Sequence, residues 1–504
     1  MEMISLTIQN TKKKDEYSRL FEKTVSVEER SKLGQYFTHK ELVELILNKV
    51  EINKNSKILD PTCGAGAFLI QALEKSSLDN IYGIDIDPNA LDLCKQNLKA
   101  NSKNLVHADF IKDNPFNKEF FDVIIGNPPF LNLKSDGSDY DISYPIYKEV
   151  TFGVVNSATL VLAKSYDLLK ENGYLGFVLP KNFIRVDSFD RIREFILKNT
   201  KVIAIIDVDH HFKDVRCDQI LFILQKKKLN SEELKQHKVE ITPYRKASKL
   251  SDNKSYFIPQ SDFFNYPFYP LFYSQDVKKV ADKLLKIKET LSDYTEIYRG
   301  ISISSSHHSL SKGEKNGYIK SYRGDSIKRF GLKYFLYLDK SKLNPNEINK
   351  LSKILKDKIV IQNLFSKEGG IYLNISKSDE ASLDTVTNII PNKNINFYAL
   401  MGLIGSKLSN FFLINVIYLN SNFTMHADKP YIGKIPIILP NESDEDIIQS
   451  YVDKLFKIED KFSNEFNDIY DKLNKKVFEI YGLTNEEVNI IENTLKGMMS
   501  KKHG

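Results

Sequence analysis

The tetrapeptide Asn127-Pro128-Pro129-Phe130 combines residue types that could hold an amino group on a flat ring. It follows an apolar run, 123–125, that ends at Gly126, so we predict a buried strand that opens into a rigid polar loop. Because proline fixes its own φ and has no N–H, the loop carbonyls point in set directions. An amide oxygen, an aimed carbonyl and an aromatic ring suit the exocyclic amine of a planar base. The loop therefore predicts an enzyme that acts on such an amine.

Three aspartates, Asp60, Asp85 and Asp109, each come at the end of a predicted strand upstream of this loop. In an open parallel sheet, ligands bind beyond the carboxyl ends of the strands, so the three carboxylates should line one rim. Gly64 and Gly66 follow the first strand and allow the backbone to approach a ligand closely. Asp85 lies about 20 residues after Gly66, where an acidic residue can bind a ribose diol.

The dinucleotide-binding fingerprint is incomplete, because Leu69 stands at the position of its third glycine. A nicotinamide-dependent enzyme is therefore disfavoured. For any one of the aspartates, a capping or solvated role is the simpler interpretation. Three of them behind one glycine loop favour a ligand pocket.

Alternating strand and helix signals between residues 56 and 225 predict the elements that position these groups. Strands are expected at 57–60, 81–85, 105–110, 121–126, 174–179, 202–208 and 220–224. This alternation predicts an α/β fold with a largely parallel sheet covered on both faces. Ahead of it, a helix is expected from about His39 to Val50, with Thr38 as N-cap and Glu41 as its capping-box partner. Asp87 should cap a later helix that has Pro88 in its first turn.

The 504 residues exceed one ordinary core, so several domains are expected. We divide the chain into a helical lead-in at 1–30, an α/β domain at 31–228, an α+β segment at 229–440 and a helical C-terminal segment at 441–504. The net charge of +6 is compatible with a polyanionic partner but too small to prove one.

The three cysteines, Cys63, Cys94 and Cys217, have neither disulfide nor metal-site spacing. The histidine pairs at 210–211 and 307–308 lack further ligands at a suitable spacing, so no metal is expected. No apolar run reaches the length of a membrane span, and the N-terminal residues lack a signal-peptide pattern. We therefore expect a cytoplasmic protein with no membrane partner.

The ordered motifs GQYFT, DPTCGAGAFL, GIDIDPNAL, HADF and GNPPF over residues 32 to about 225 resemble the gamma-class methyltransferases that modify adenine N6 in DNA. The resemblance implies a Rossmann-like domain that uses S-adenosylmethionine. It implies that Thr38 and Gly64 lie near the methionine part of this cofactor and that Phe37, Asp60 and Gly66 also belong to the cofactor site. It further implies that Asp85 binds the ribose, that Ile86 lies against the adenine ring, and that Asp109 accepts from the cofactor's amino group, with Phe110 packing beside it.

The exocyclic nitrogen of adenine is a poor nucleophile, because its lone pair is delocalised into the ring. Hydrogen bonds from its two N–H groups to the Asn127 side-chain oxygen and the Pro128 carbonyl would free the lone pair for attack. The base has to flip out of the duplex. Stacking on aromatic rings partly offsets the free-energy cost of this flipping. Phe130 is the expected first ring. Phe212 matches the family's second ring, and Phe183 is the alternative; for both, a core aromatic is an equally good interpretation.

The long segment after residue 228 resembles a target-recognition domain of a Type II restriction–modification system. Arg299, Lys320 and Arg323, with Lys328, are the expected contacts to double-stranded DNA. A cognate restriction endonuclease is a possible partner, but no nuclease motif is recognised, so a stand-alone methyltransferase is favoured.

Alternative functions are cytosine N4 methylation, methylation of RNA or of protein glutamine, and non-enzymatic DNA binding by a chain that retains the fold. Asn at position 127, rather than Ser, resembles the adenine-directed members.

Overall fold

A computed structural model describes residues 38–99, 103–113, 115–134, 140, 143–209, 218–244, 253–304, 306–367, 369–392, 395–421 and 424–496. The chain forms two compact units, which meet in sequence between Leu271 and Phe272. Phe37, Phe212, Cys217 and the pair His210-His211 lie outside the described residues.

Unit 1 is an α/β unit whose helices and strands alternate along the chain. Its helices are α1 (Lys40–Leu47), α2 (Ala67–Ala72), α3 (Pro88–Leu98), α4 (Pro145–Val150), α5 (Ser157–Leu168), α6 (Asp190–Asn199) and α7 (Ser231–Gln236). The strands of its large sheet are β1 (Ile58–Asp60), β2 (Ile81–Asp85), β3 (Leu105–His107), β4 (Phe121–Gly126), β5 (Leu169–Pro180), β6 (Lys201–Asp209), β7 (Gln219–Gln225), β8 (Lys238–Thr242) and β9 (Tyr256–Pro259). Two short strands, Asn132–Leu133 and Val155–Asn156, pair with each other.

The nine strands form one mixed sheet in the order β9-β8-β6-β7-β5-β4-β1-β2-β3. Strands β3, β2, β1, β4 and β5 are mutually parallel, whereas β7 runs antiparallel to both of its neighbours. The strands consist of apolar runs because helices cover both faces of the sheet. The expected α/β fold with a mixed, mostly parallel sheet is confirmed.

The sheet continues beyond the boundary that the sequence suggested at residue 228. Strand β8 pairs with β6 in parallel, and β9 pairs with β8, so residues up to Leu271 belong to unit 1. The charged stretch after Lys226 is polar, but it is folded as part of unit 1. It contains α7, which has a complete capping box at Asn230 and Glu233.

Unit 2 combines small, mostly antiparallel sheets with helices. Its helices are α8 (Gln275–Leu285), α9 (Pro345–Ile354), α10 (Phe397–Ile404), α11 (Lys407–Phe411), α12 (Glu442–Lys457), α13 (Asn464–Ile480) and α14 (Asn485–Leu495), with single turns at Leu291–Tyr294 and Lys429–Ile432 and a π-helical segment at Phe412–Ile417. One four-stranded sheet has the order β10 (Thr295–Arg299), β13 (Val386–Pro391), β11 (Lys358–Gln362), β12 (Leu373–Ser376). The second contains Leu310–Ser311, Leu336–Leu338, Ile319–Tyr322 and Ala381–Ser382, and two-residue pairs join Ile327–Lys328 to Gly331–Leu332 and Leu364–Phe365 to Met425–His426.

The expected helical C-terminal segment is present, but it is part of unit 2 rather than a separate tail. A Cβ added at Gly402 of α10 would collide with Ile448 of α12, so these two helices pack closely. Within the described ranges, no single helix is long and apolar enough to cross a membrane. The bent pair formed by α10 and residues 407–417 is long and apolar enough for a membrane span by length and composition alone. Most of its side chains are buried in unit 2.

Candidate active site

The carboxyl ends of β1, β2, β3 and β4 lie at one edge of the sheet because these strands are parallel. Asp60 is the last residue of β1 and Asp85 the last residue of β2, while Asp109 follows the end of β3 by two residues. The tetrapeptide 127–130 leaves β4 at the same edge. The topology therefore brings the aspartates and the Asn-Pro-Pro-Phe loop together, as the sequence predicts.

Asp85 anchors the glycine loop. Its two carboxylate oxygens accept hydrogen bonds from the Gly64 N–H at 2.6 Å and the Asp87 N–H at 2.9 Å. Burial raises the pKa of Asp85, and these backbone donors oppose that rise. Asp87 caps α3 and Pro88 occupies its first turn, which confirms that prediction.

The surface above the glycine loop is open. Gly64 has φ +50°, and a Cβ added there would meet nothing within 4 Å. Beside it, the Ile86 side chain is 53% exposed, although it directly follows a buried strand. An apolar side chain held at a strand end next to free space can pack against a flat ligand.

Asp60 lies between the glycine loop and the Asn-Pro-Pro-Phe loop. It is 1% exposed, and its Oδ1 accepts a hydrogen bond from the Thr62 N–H at 3.1 Å. A Cβ added at Gly126 would approach this same Oδ1 to 2.7 Å, so only glycine fits before Asn127. Burial raises the pKa of Asp60 well above its usual value, with the nearby Asp85 carboxylate adding to the rise.

Asp109 and Phe110 follow β3 at the same edge of the sheet. The Asp109 Oδ1 accepts from the Ile111 N–H at 3.0 Å, and its Oδ2 lies 3.8 Å from the Lys112 ammonium. Phe110 is 4% exposed, with the buried Lys164 ammonium 5.3 Å from its ring centroid. Both side chains are thus fixed by the fold itself.

Asn127 is held by Thr38. The Asn127 Nδ2 donates to the Thr38 Oγ1 at 3.3 Å, and Thr38 is 4% exposed. The prediction that Thr38 caps the first helix is wrong, because α1 begins after His39, and His39 makes no side-chain capping bond. Since Thr38 takes the amide N–H, the amide oxygen of Asn127 remains available on the other side of the group.

Ser157, the first residue of α5, fastens the other end of the loop. Its Oγ donates to the Pro129 carbonyl at 2.5 Å and accepts from the Leu131 N–H at 2.9 Å. Ser157 is not predictable as a site residue from its sequence pattern, which shows only a helix start: the Asn156 side chain caps α5 by accepting from the Ala158 N–H. Pro128 is buried, and Phe130 is half-buried.

The structure describes one of the two candidates for the second stacking ring, Phe183. Phe183 is 1% exposed and packs against the rings of Phe189, Phe222 and Tyr269. The alternative that Phe183 stacks on the target base is therefore wrong, because it is a core residue. The preferred second ring, Phe212, is outside the described residues, as is Phe37.

Two buried polar features near the ends of β5, β6 and β7 were also missed by sequence reasoning. The Lys181 ammonium and the Asp207 carboxylate form an ion pair at 2.6 Å, with side chains 6% and 8% exposed. Gln219, at the start of β7, is 1% exposed. A single polar residue beside a strand gives no sequence signal.

The predicted DNA contacts of unit 2 differ in their surroundings. The Arg299 Nη2 donates to the Asn363 Oδ1 at 2.6 Å, and its Nε lies 3.3 Å from an oxygen of Asp428. Lys320 is exposed and its ammonium lies 5.4 Å from the ring centroid of Phe335. Arg323 and Lys328 are half-buried. Across the residues that the structure describes, no three His, Cys, Asp or Glu side chains form a group that could hold a metal ion.

The N-6 DNA Methylase family model matches residues 12–263. The Type II methyltransferase M.VspI of Vibrio sp. (strain 343) is 27% identical over 323 residues, which are 62% of this chain and 75% of that protein. The Type II restriction enzyme and methyltransferase RM.Eco57I of Escherichia coli is 27% identical over 260 residues, or 37% of this chain. The match spans only 26% of RM.Eco57I.

Among solved structures, the Type IIL restriction-modification enzyme MmeI has a similar fold. The TM-score is 0.64, and the match covers 96% of this chain and 82% of that chain at 13% identity. The family match covers half of the chain and contains every residue of the edge described above. The chain therefore belongs to the N-6 DNA Methylase family, the adenine-specific DNA methyltransferases of restriction–modification systems, which take their methyl group from S-adenosylmethionine.

Proposed function

We propose that this chain methylates N6 of a flipped-out adenine at one specific sequence of duplex DNA, as the modification enzyme of a restriction–modification system. The observation that carries the proposal is the Asn127 amide, which Thr38 fixes at the same sheet edge as the three aspartates. The same proposal places the protein in the cytoplasm, where it associates with DNA.

The donor pocket fits S-adenosylmethionine on two observations. Gly64 leaves open space where any other residue would place a Cβ, and Ile86 offers an exposed apolar face beside the Asp85 carboxylate. In this assignment Asp85 holds the ribose, Ile86 and Phe110 contact the adenine ring, and Asp109 accepts from its amino group. Asp60, Gly64, Gly66, Phe37 and Thr38 surround the methionine part. When bound, the cofactor supplies an electrophilic methyl group; no metal is required.

The chain's own groups prepare the target amine. The Asn127 Oδ1 and the Pro128 carbonyl accept its two N–H groups, which draws the lone pair out of conjugation with the ring. Fixed dipoles of this kind stabilise the charge that develops on nitrogen, and each typically contributes on the order of 10²–10³ in rate. Phe130, fixed through Pro129 by Ser157, stacks on the base, and Phe212 is proposed as the second ring.

Unit 2 is proposed as the reader of the duplex. MmeI, whose fold is similar, has been solved in complex with DNA, and this supports DNA as the partner. Arg299, Lys320 and Arg323 are the proposed contacts. The Asp428 carboxylate and the Asn363 amide orient the Arg299 guanidinium, an arrangement suited to reading a base edge.

A cognate endonuclease is a further proposal, because the name of RM.Eco57I combines a restriction enzyme with a methyltransferase. Long-read methylation sequencing of genomic DNA from an expression host tests the whole proposal at once. We expect N6-methyladenine at one motif with the wild type and none with Asn127→Ala. Methyl transfer to RNA, protein or cytosine N4 but not to adenine in duplex DNA would refute the substrate, and an active Asn127→Ala variant would refute the mechanism.

A further inference from the structure

Gln219 carries a buried amide that the fold does not use. The side chain is 1% exposed, and within the described part of the chain neither its Oε1 nor its Nε2 has a hydrogen-bond partner. A buried polar group without a partner destabilises a fold, so native structures contain few of them. A group of this kind at the edge of a binding site points to a ligand that completes it.

The sheet places Gln219 near the Asn-Pro-Pro-Phe loop. Gln219 pairs with Pro180 of β5. Pro180 lies four residues after Gly176, so both residues face the same side of the sheet. A Cβ at Gly176 would collide with Ile46, so α1 crosses the sheet there. Four strand residues span about 13 Å, and α1 spans about 9 Å from Ile46 back to its first residue, Lys40, with two extended residues more to Thr38. Gln219 therefore lies at the level of Thr38, on the face that α1 covers.

The strand order indicates whether Gln219 lies on the side of the cofactor or on the side of the target base. Strands β1, β2 and β3, which carry the aspartates, lie on one side of β4, whereas β5 and β7 lie on the other. The proposed cofactor residues lie on the aspartate side, so we assign the target base to the side of β5 and β7. Asn127 and Pro128 are assigned to the two N–H groups of the base, and the remaining polar atoms of an adenine ring are acceptors.

We infer that the Gln219 Nε2 donates a hydrogen bond to a ring nitrogen of the flipped adenine and so positions the base. This inference rests on the proposed function and adds a specificity-determining residue to it. The contact distinguishes a purine ring edge from a substrate that presents an amine alone.

The test uses duplexes that carry the motif found by methylation sequencing, with the target adenine replaced by its 1-deaza, 3-deaza or 7-deaza analogue. Each analogue keeps the amine and replaces one ring nitrogen with C–H. We expect one analogue to lower the wild-type kcat/KM about tenfold. Gln219→Met should show a similar loss on adenine and no further loss with that analogue. A wild type insensitive to all three, or a variant as sensitive as the wild type, would overturn the inference.

A matched control is Gln260→Met, because Gln260 is also fully buried but has partners in Val202, Leu197 and Thr200. We expect Gln260→Met to lower Tm, and Gln219→Met to leave Tm unchanged or raised. Calorimetry should give the same S-adenosylmethionine Kd for Gln219→Met and the wild type. A weaker Kd with unchanged discrimination between analogues would assign Gln219 to the cofactor instead. Absence of methyl transfer by the wild type to any DNA would refute the proposed function itself.

Discussion

Thr38→Val tests whether the threonine acts through Asn127. Valine keeps the shape of the side chain and removes the oxygen that accepts from the Asn127 Nδ2 at 3.3 Å. A hydrogen bond between neutral groups contributes about 0.5–1.5 kcal/mol. If that orientation energy is lost in the transition state, kcat falls about 2- to 13-fold. Asn127→Ala removes the acceptor of the target amine itself and should lower kcat on the order of 10²–10³-fold.

The assay is single-turnover methyl transfer with saturating S-adenosylmethionine and target duplex. Thr38→Ser, which keeps the hydroxyl group, is the control and should retain most of the rate. The variant that combines Thr38→Val with Asn127→Ala should be no slower than Asn127→Ala alone, because the two residues act through one contact. Multiplication of the two losses in the double variant would show that Thr38 acts independently of Asn127.

Three further predictions follow from the same contacts. Gly126→Ala places a Cβ 2.7 Å from the Asp60 Oδ1, so we expect at least an approximately tenfold loss of methyl transfer and a lower Tm. Burial raises the pKa of Asp60, so its contribution to stability is present below pH ~4 and lost as pH rises through the folded-state pKa. The Tm of Asp60→Asn should therefore rise relative to that of the wild type as the pH increases above about 4 in thermal unfolding. Lys320→Ala should reduce the slope of log K against log salt by about 1, whereas Arg299→Ala should also relax sequence preference in methylation sequencing.

Most of the sheet in unit 1 is predictable because its signals are local. Apolar runs that end in Asp60 and Asp85 give both the strand and its last residue, and Asp87-Pro88 gives the start of a helix. The parallel order then fixes which ends of the strands meet. These features need no knowledge of distant residues.

The errors arise where a distant residue decides the outcome. Thr38 has a capping pattern in sequence, but its hydroxyl contacts Asn127, which is 89 residues away. Phe183 follows β5 as a binding ring would, yet Tyr269 and Phe222 enclose it. The boundary after residue 228 was placed too early because β8 pairs with β6 across the intervening segment. Local patterns do not contain these pairings.

The two hydrogen bonds of Ser157 have a thermodynamic consequence. Fixing the backbone of one residue costs about 1–2 kcal/mol in conformational entropy. Because Ser157 holds the Pro129 carbonyl and the Leu131 N–H, that entropy is lost when the chain folds rather than when DNA arrives. The free energy gained from stacking can then offset the unpairing of the base, since little of it is needed to order the loop.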